Sequence, residues 1–258
     1  MKKILFLLLL LFTISDDAWA EGNSAIWNGK TDIKWYSDSK TEFTITTPEQ
    51  LAGLAKLVNK GNRFEGKTIK LGANIMLNDT AGWQNWANKL PKNKWEPIGT
   101  YIYEIDERTP RFLQNPIGDY LIYWFVPEFI QKALRMESTD LSFKGTFDGC
   151  GFVISGMYIN NNLKVYQGLF GYVDGELRNL GVRASYIKGG NVVGGLVGTS
   201  SSIVNCYSFV VVRAGISVGG LAGVADIIRG SYSTALVSGN GYVGGLVGSN
   251  EEPNMKYQ

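Results

Sequence analysis

The sequence points to a mainly β chain wound as a right-handed parallel β-helix, and three observations carry that expectation. First, one phrase recurs as Val193-Gly194-Gly195-Leu196-Val197-Gly198, Val218-Gly219-Gly220-Leu221-Ala222-Gly223 and Val243-Gly244-Gly245-Leu246-Val247-Gly248, spaced 25 residues apart each time. A fixed period of this size marks a stacked repeat architecture. Second, each unit breaks into short apolar runs bounded by Gly, Ser or Asn, too short for helices and suited to strands. Third, most of the 32 glycines lie in residues 147–248, and no proline lies between residues 128 and 252. Proline cannot donate to a ladder, so its absence suits continuous strands. A strand advances roughly 3.3 Å per residue, so about 25 residues close one circuit of three short sides, stacked about 4.8 Å from the next.

In such a stack Leu169, Leu196, Leu221 and Leu246 form one interior ladder, and Val193, Val218 and Val243 form another. Each buried side chain is worth roughly 1.5–3 kcal/mol. Other columns follow at the same offset: Ile203 with Ile228 and the earlier Leu177, Val212 with Val237, and Asn205-Cys206-Tyr207-Ser208 with Gly230-Ser231-Tyr232-Ser233. The paired glycines are expected at corners, where positive φ or a close approach excludes a Cβ.

These residues also carry a resemblance. The Gly-Leu-Val-Gly phrases, Gly168-Leu169-Phe170-Gly171, Asn205-Cys206-Tyr207-Ser208 and Gly145-Thr146-Phe147-Asp148-Gly149-Cys150-Gly151 resemble GLUG-motif proteins. That resemblance spans most of residues 26–100 and 143–248. It implies a bacterial secreted or surface protein built on β-helical repeats, and says little of activity.

Residues 1–20 read as a signal peptide, with Lys2 and Lys3 before the apolar run Ile4–Ile14 and Ala18-Trp19-Ala20 as a small-x-small cleavage pattern. The expected localisation is export: secreted, cell surface or periplasmic. A spanning helix needs about 20 apolar residues, so no membrane span is expected after cleavage. Residues 21–100 read as an α+β N-terminal cap and first coil. Ile26–Gly29, Trp35-Tyr36 and Phe43–Thr46 look like short strands. Thr47-Pro48-Glu49-Gln50 has the residues of a capping box with proline at the first helical position. Leu51, Leu54, Leu57 and Val58 follow at helical spacing, and Thr68–Leu71 and Ile75–Leu77 read as strands.

Residues 101–142 read as an aromatic insertion between Trp95-Glu96-Pro97-Ile98-Gly99 and the Gly-Thr-Phe-Asp-Gly element, with a strand at Leu121–Val126 and a short helix from Pro127 to Met136. Residues 143–248 are the repeats, and residues 249–258 a polar tail that does not cover the final coil. Either self-association through that open coil or a truncated member of a longer repeat family is expected. Cys150 and Cys206 fall in different columns, so both are expected as free thiols that fill the interior.

The chain has no histidine, which removes HExxH and His-dependent triad chemistry. No residue set suggests a metal or cofactor. The net charge of +2 gives no argument for nucleic acid. Within residues 147–248, Lys164, Arg178, Arg183, Lys188, Arg213 and Arg229 stand against Asp148, Asp174, Glu176 and Asp226; no basic stripe runs through them, and the carboxylates form no column at the repeat spacing. The expected function is a non-catalytic, adhesin-like binding module for a glycan or surface protein. Candidate contacts are Trp83, Trp86, Trp95, Tyr101, Tyr103, Tyr123 and Trp124, since aromatic faces stack on ligands; the alternative for these rings is packing over the cap and first coils. A polysaccharide lyase or hydrolase and a structural spacer are the competing functions.

Overall fold

The computed structural model describes residues 25–104 and 137–250. The expected signal peptide, the expected strand and helix in residues 121–136, and residues 251–258 lie outside them. The described residues form a mainly β solenoid of about seven turns with parallel sheets.

Sheet one runs in the order β1 (Glu42–Ile45), β2 (Thr68–Leu71), β6 (Thr146–Asp148), β9 (Phe170–Arg178), β12 (Val197–Val204), β15 (Ala222–Arg229), β19 (Val247–Ser249). Sheet two comprises β3 (Ile75–Met76), β7 (Val153–Ser155), β8 (Tyr158–Asn160), β10 (Gly181–Lys188), β13 (Tyr207–Arg213), β16 (Tyr232–Ser233) and β17 (Leu236–Ser238). The short third side is β11 (Val193–Gly194), β14 (Ile216–Gly219) and β18 (Gly241–Gly244). The registers are those that the 25-residue period requires: Val193 opposite Val218 and Val218 opposite Val243, Ile203 opposite Ile228, Tyr207 opposite Tyr232, Val212 opposite Val237. Leu196 donates its N–H to the Leu221 carbonyl and Leu221 donates to Leu246.

Leu169, Leu196, Leu221, Val193 and Val218 are fully buried. At the final coil the ladders open. Leu246 is only half-buried and Val243 is 47% exposed, because among the described residues β18 and β19 each have a partner strand on one side alone. Val243 thus shares the register of its column without its burial.

Corners turn on single residues in the left-handed region. Tyr166, Val192, Ser217 and Tyr242 have φ of 54°, 55°, 55° and 49°. Asn179, Asn205 and Gly230, with φ of 52°, 52° and 58°, mark a second corner. Asn suits that conformation because its short polar side chain bonds locally, and Asn205 Nδ2 donates to Asn179 Oδ1 at 3.4 Å. The paired glycines of the repeat phrase do not use positive φ. Their requirement is room: a Cβ on Gly194 would lie 2.3 Å from the Val197 carbonyl oxygen and 2.6 Å from that of Leu221.

α1 (Pro48–Val58) begins with the predicted capping box: Thr47 Oγ1 accepts from the Gln50 N–H, and Gln50 Oε1 accepts from the Thr47 N–H. Leu51, Leu54 and Val58 join Ile45, Ile69 and Phe147 in one core, so the helix closes the interior at the β1 end. Trp35-Tyr36 is a turn rather than a strand. Its rings pack on Phe43 and Phe64, and Trp35 Nε1 donates to the Asp32 carbonyl. Ile26 makes an isolated bridge to Met76.

The excursion after Gly99 leaves and returns at one point. β4 (Thr100–Glu104) and β5 (Glu137–Leu141) pair antiparallel, Thr100 opposite Leu141. Ile98 bridges Phe170 and Phe143 bridges Val173, so residues on either side of the excursion pair with β9 as though continuous. No covalent bridge joins the cysteines. Cys206 is buried, and burial pushes its thiol up to about 12, as suits an inert filler. Cys150 departs from expectation: it lies exposed at a corner with φ of 51°.

Candidate ligand-binding face

Three of the four tryptophans expected to contact ligand are buried, as the packing alternative for these rings requires. Trp95 lies in the main core, its Nε1 donating to the Leu169 carbonyl at 3.1 Å and its ring 5.9 Å from Trp27. Trp83 and Trp86 lie on the outer face of sheet two, where they cover Tyr158, Tyr186 and Val211 as a second apolar cluster. A one-turn 3-10 helix, Trp83–Asn85, holds them there. Burial therefore withdraws Trp83, Trp86 and Trp95 from direct contact, because a stacked ligand needs an open ring face. Tyr101 is half-buried beside Tyr172, with ring centroids 6.0 Å apart. Tyr103 has its backbone in β4, and its side chain lies outside the described set. Tyr123 and Trp124 also lie outside the described residues.

A different group of rings is open. In β13 the alternation of a strand sends Ser208, Val210 and Val212 inward and Tyr207 and Phe209 outward. Tyr207 stacks on Tyr232 of the next coil with centroids 5.3 Å apart and planes 6° from parallel. Tyr232 is 57% exposed and Phe209 40% exposed. Phe209 is buttressed edge-on by Trp83 at 5.5 Å, so the buried flap positions the exposed ring. Both tyrosines sit on backbone ladders, which keep their rings aligned without ligand. The signal was present in sequence: Tyr207 and Tyr232 recur 25 residues apart, next to the inward Cys206 and Ser208.

Charge is divided between the sheets. Strands of sheet two carry Arg183, Lys188 and Arg213 and no carboxylate. Among the described residues none of these three cations has a carboxylate within 4.0 Å; Arg213 lies 6.0 Å from the Tyr186 ring centroid. The fold thus gathers three scattered cations that did not form an evident stripe in the sequence.

The strands of sheet one carry Glu42, Asp148, Asp174, Glu176 and Asp226, and all but Asp226 are ion-paired. Asp148 lies opposite Arg178, which contacts it at 2.9 Å and Glu176 at 3.2 Å; Lys70 pairs with Glu42 and Lys144 with Asp174. Arg178 and Arg229 share a column with Val204 between them. Burial disfavours the charge of Asp148, but bonds from Asn179, the Cys150 N–H and Arg178 outweigh it and hold the carboxyl below its ordinary value. Such a carboxylate is a poor proton acceptor near neutrality. A depressed folded-state value adds stability above the unfolded carboxyl range, about pH 4, and loses it as pH falls through the folded value. Asp148→Asn is therefore expected to flatten the acid limb of stability below about pH 4. Urea midpoints at pH 7 and pH 3 check this; an unchanged difference between the two pH values would deny Asp148 that role.

No group of three or more metal-ligating side chains occurs among the described residues, and no described helix is long and apolar enough to cross a membrane. No known family's sequence model, no curated protein and no solved structure matches this chain.

Proposed function

We propose that this chain is an exported, non-catalytic binding module of adhesin type, of the GLUG-motif kind that its repeat phrases resemble, with a glycan as ligand. The observation that carries the reading is the exposed ring of Tyr232, held in place by stacking on the half-buried Tyr207 of the preceding coil, beside the exposed Phe209 on a rigid sheet. Sugar rings present flat C–H faces, and flat exposed aromatics complement them with little conformational entropy to lose. The engaged carboxylates of sheet one favour a structural part for those groups over acid–base work.

The test is a glycan array and a sugar-release assay on one purified sample, repeated with Tyr232→Ala and Phe209→Ala combined. Binding is expected to fall about tenfold or more in the double variant, since ring contacts are worth roughly 0.5–1.5 kcal/mol each. Its melting temperature should stay within a few degrees of the parent. Release of sugar would replace the binding reading with a lyase or hydrolase. Silence in both assays would leave a structural spacer.

A further inference from the structure

Where sheet two turns toward the third side, a groove of about 480 Å³ opens between successive coils. Lys188 and Arg213 line it, together with Asn162, Asn191, Ser238 and Asn240. The ladder sets Lys188 directly opposite Arg213, with Asn160 before and Ser238 after. Adjacent strands lie about 4.8 Å apart, so two like charges are stacked at one position of consecutive coils. Like charges directly opposite across strands repel, and no carboxylate among the described residues offsets this pair. Glycines at 189, 190 and 215 carry no side chain to fill the corner; a Cβ on Gly215 would lie 2.4 Å from Asn191 Oδ1. Asn191 is fixed by accepting the Ile216 N–H at Oδ1, at 2.8 Å. Its Nδ2 has no partner among the described residues and remains a donor.

We propose that this groove is a subsite for the anionic group of an acidic glycan, a uronate carboxylate or a sulfate ester, continuing the aromatic face of Tyr207, Phe209 and Tyr232. The inference rests on the binding reading above and adds the ligand's charge. A bound anion relieves the repulsion between Lys188 and Arg213 and accepts hydrogen bonds from both, and charge-assisted bonds of this kind are the stronger ones. The groove lies at the far end of β13 from the tyrosine pair, with the segment that carries Trp83 and Trp86 covering Val211 between them, so a ligand that meets both is a chain of several sugars passing over that segment.

The experiment measures binding of the purified chain to polygalacturonate, dextran sulfate and uncharged dextran. At low salt at least one anionic polymer should bind about tenfold or more tighter than dextran. The preference should fade between roughly 0.05 and 0.5 M salt as screening lengths shrink. Lys188→Gln with Arg213→Gln should abolish the preference while the melting temperature holds. Arg229→Gln, on sheet one, should leave it intact. Polygalacturonate preference assigns a carboxylate and dextran sulfate preference a sulfate. Equal binding of all three polymers, or loss of preference in Arg229→Gln as large as in the groove variant, overturns the subsite alone. Failure to bind any of the three overturns both the subsite and the glycan reading beneath it.

Discussion

Phe147→Ala is expected to lower stability by about 3–5 kcal/mol, the range for deleting a buried aromatic ring. Phe147 is fully buried, opposite Ile69 in the preceding coil and Leu177 in the next. Its ring lies 5.1 Å from that of Phe170, edge to face. The cost should sit high in the range because the surroundings cannot collapse. The coils above and below are held at strand spacing by backbone ladders, so a cavity there persists and its lining loses contacts outright. A solenoid transmits the loss through nearest-neighbour interfaces, so both flanking coils are weakened. Leu246→Ala is the internal comparison. That side chain occupies the same kind of ladder but is half-buried in the final coil, and its truncation should cost less than about 1 kcal/mol. Urea unfolding with linear extrapolation measures both. A loss below about 1 kcal/mol for Phe147→Ala would mean that this interior relaxes as freely as the chain end.

Phe147 also illustrates how far the fold was legible. Its own column was not legible, since Ile69 and Leu177 stand at offsets other than 25, whereas the later columns follow from period alone: once 25 residues make a circuit, Val193 must face Val218, and Leu196 must bond to Leu221. What period cannot encode is which columns run out of neighbours, and so Val243 was expected in the core. Nor does period identify what covers an outer face. Trp83 and Trp86 shield Tyr186 and Val211, far later in the chain, and only the wound chain brings them together. Read along the sequence, the two tryptophans were candidates for ligand contact with packing over the coils as the alternative, and the wound chain takes the alternative. The exposed Tyr232, stacked on the half-buried Tyr207, was the reverse case, hidden by its regularity, since a residue that repeats is easily assigned to scaffold. The paired glycines were placed at the right points with the wrong emphasis. Their φ values are not positive; a Cβ on Gly194, Gly195, Gly219, Gly220 or Gly244 would strike its own turn or the next coil, while Gly245 has open space.

Asn78→Ala should be the second most damaging change, at about 2–4 kcal/mol, although it removes hardly any apolar contact. Asn78 is buried where the flap segment meets the stack. Its Oδ1 accepts the Asn93 N–H at 2.8 Å, and its Nδ2 donates to the Asn93 and Gly156 carbonyls, both at 2.9 Å. Asn93 Nδ2 extends the network to the Trp27 and Leu77 carbonyls. One carboxamide thus satisfies three backbone groups from two distant segments, with a geometry that few other side chains reproduce. Alanine leaves those groups unpaired, and each buried orphan costs roughly 1–3 kcal/mol, less whatever water recovers. Asn78→Asp separates the two halves of the argument: it keeps an acceptor for Asn93 and loses both donors, so it should be damaging too. The consequence reaches the binding face. Residues 79–92 are anchored at their ends by this network, and they carry the Trp83 ring that buttresses Phe209. Asn78→Ala should increase iodide quenching of tryptophan fluorescence below the melting temperature, as Trp83 and Trp86 lift from Tyr158 and Val211. Parental stability together with parental quenching would show that the network holds nothing in place. Lower stability with parental quenching would confine its part to joining the N-terminal segment to the stack.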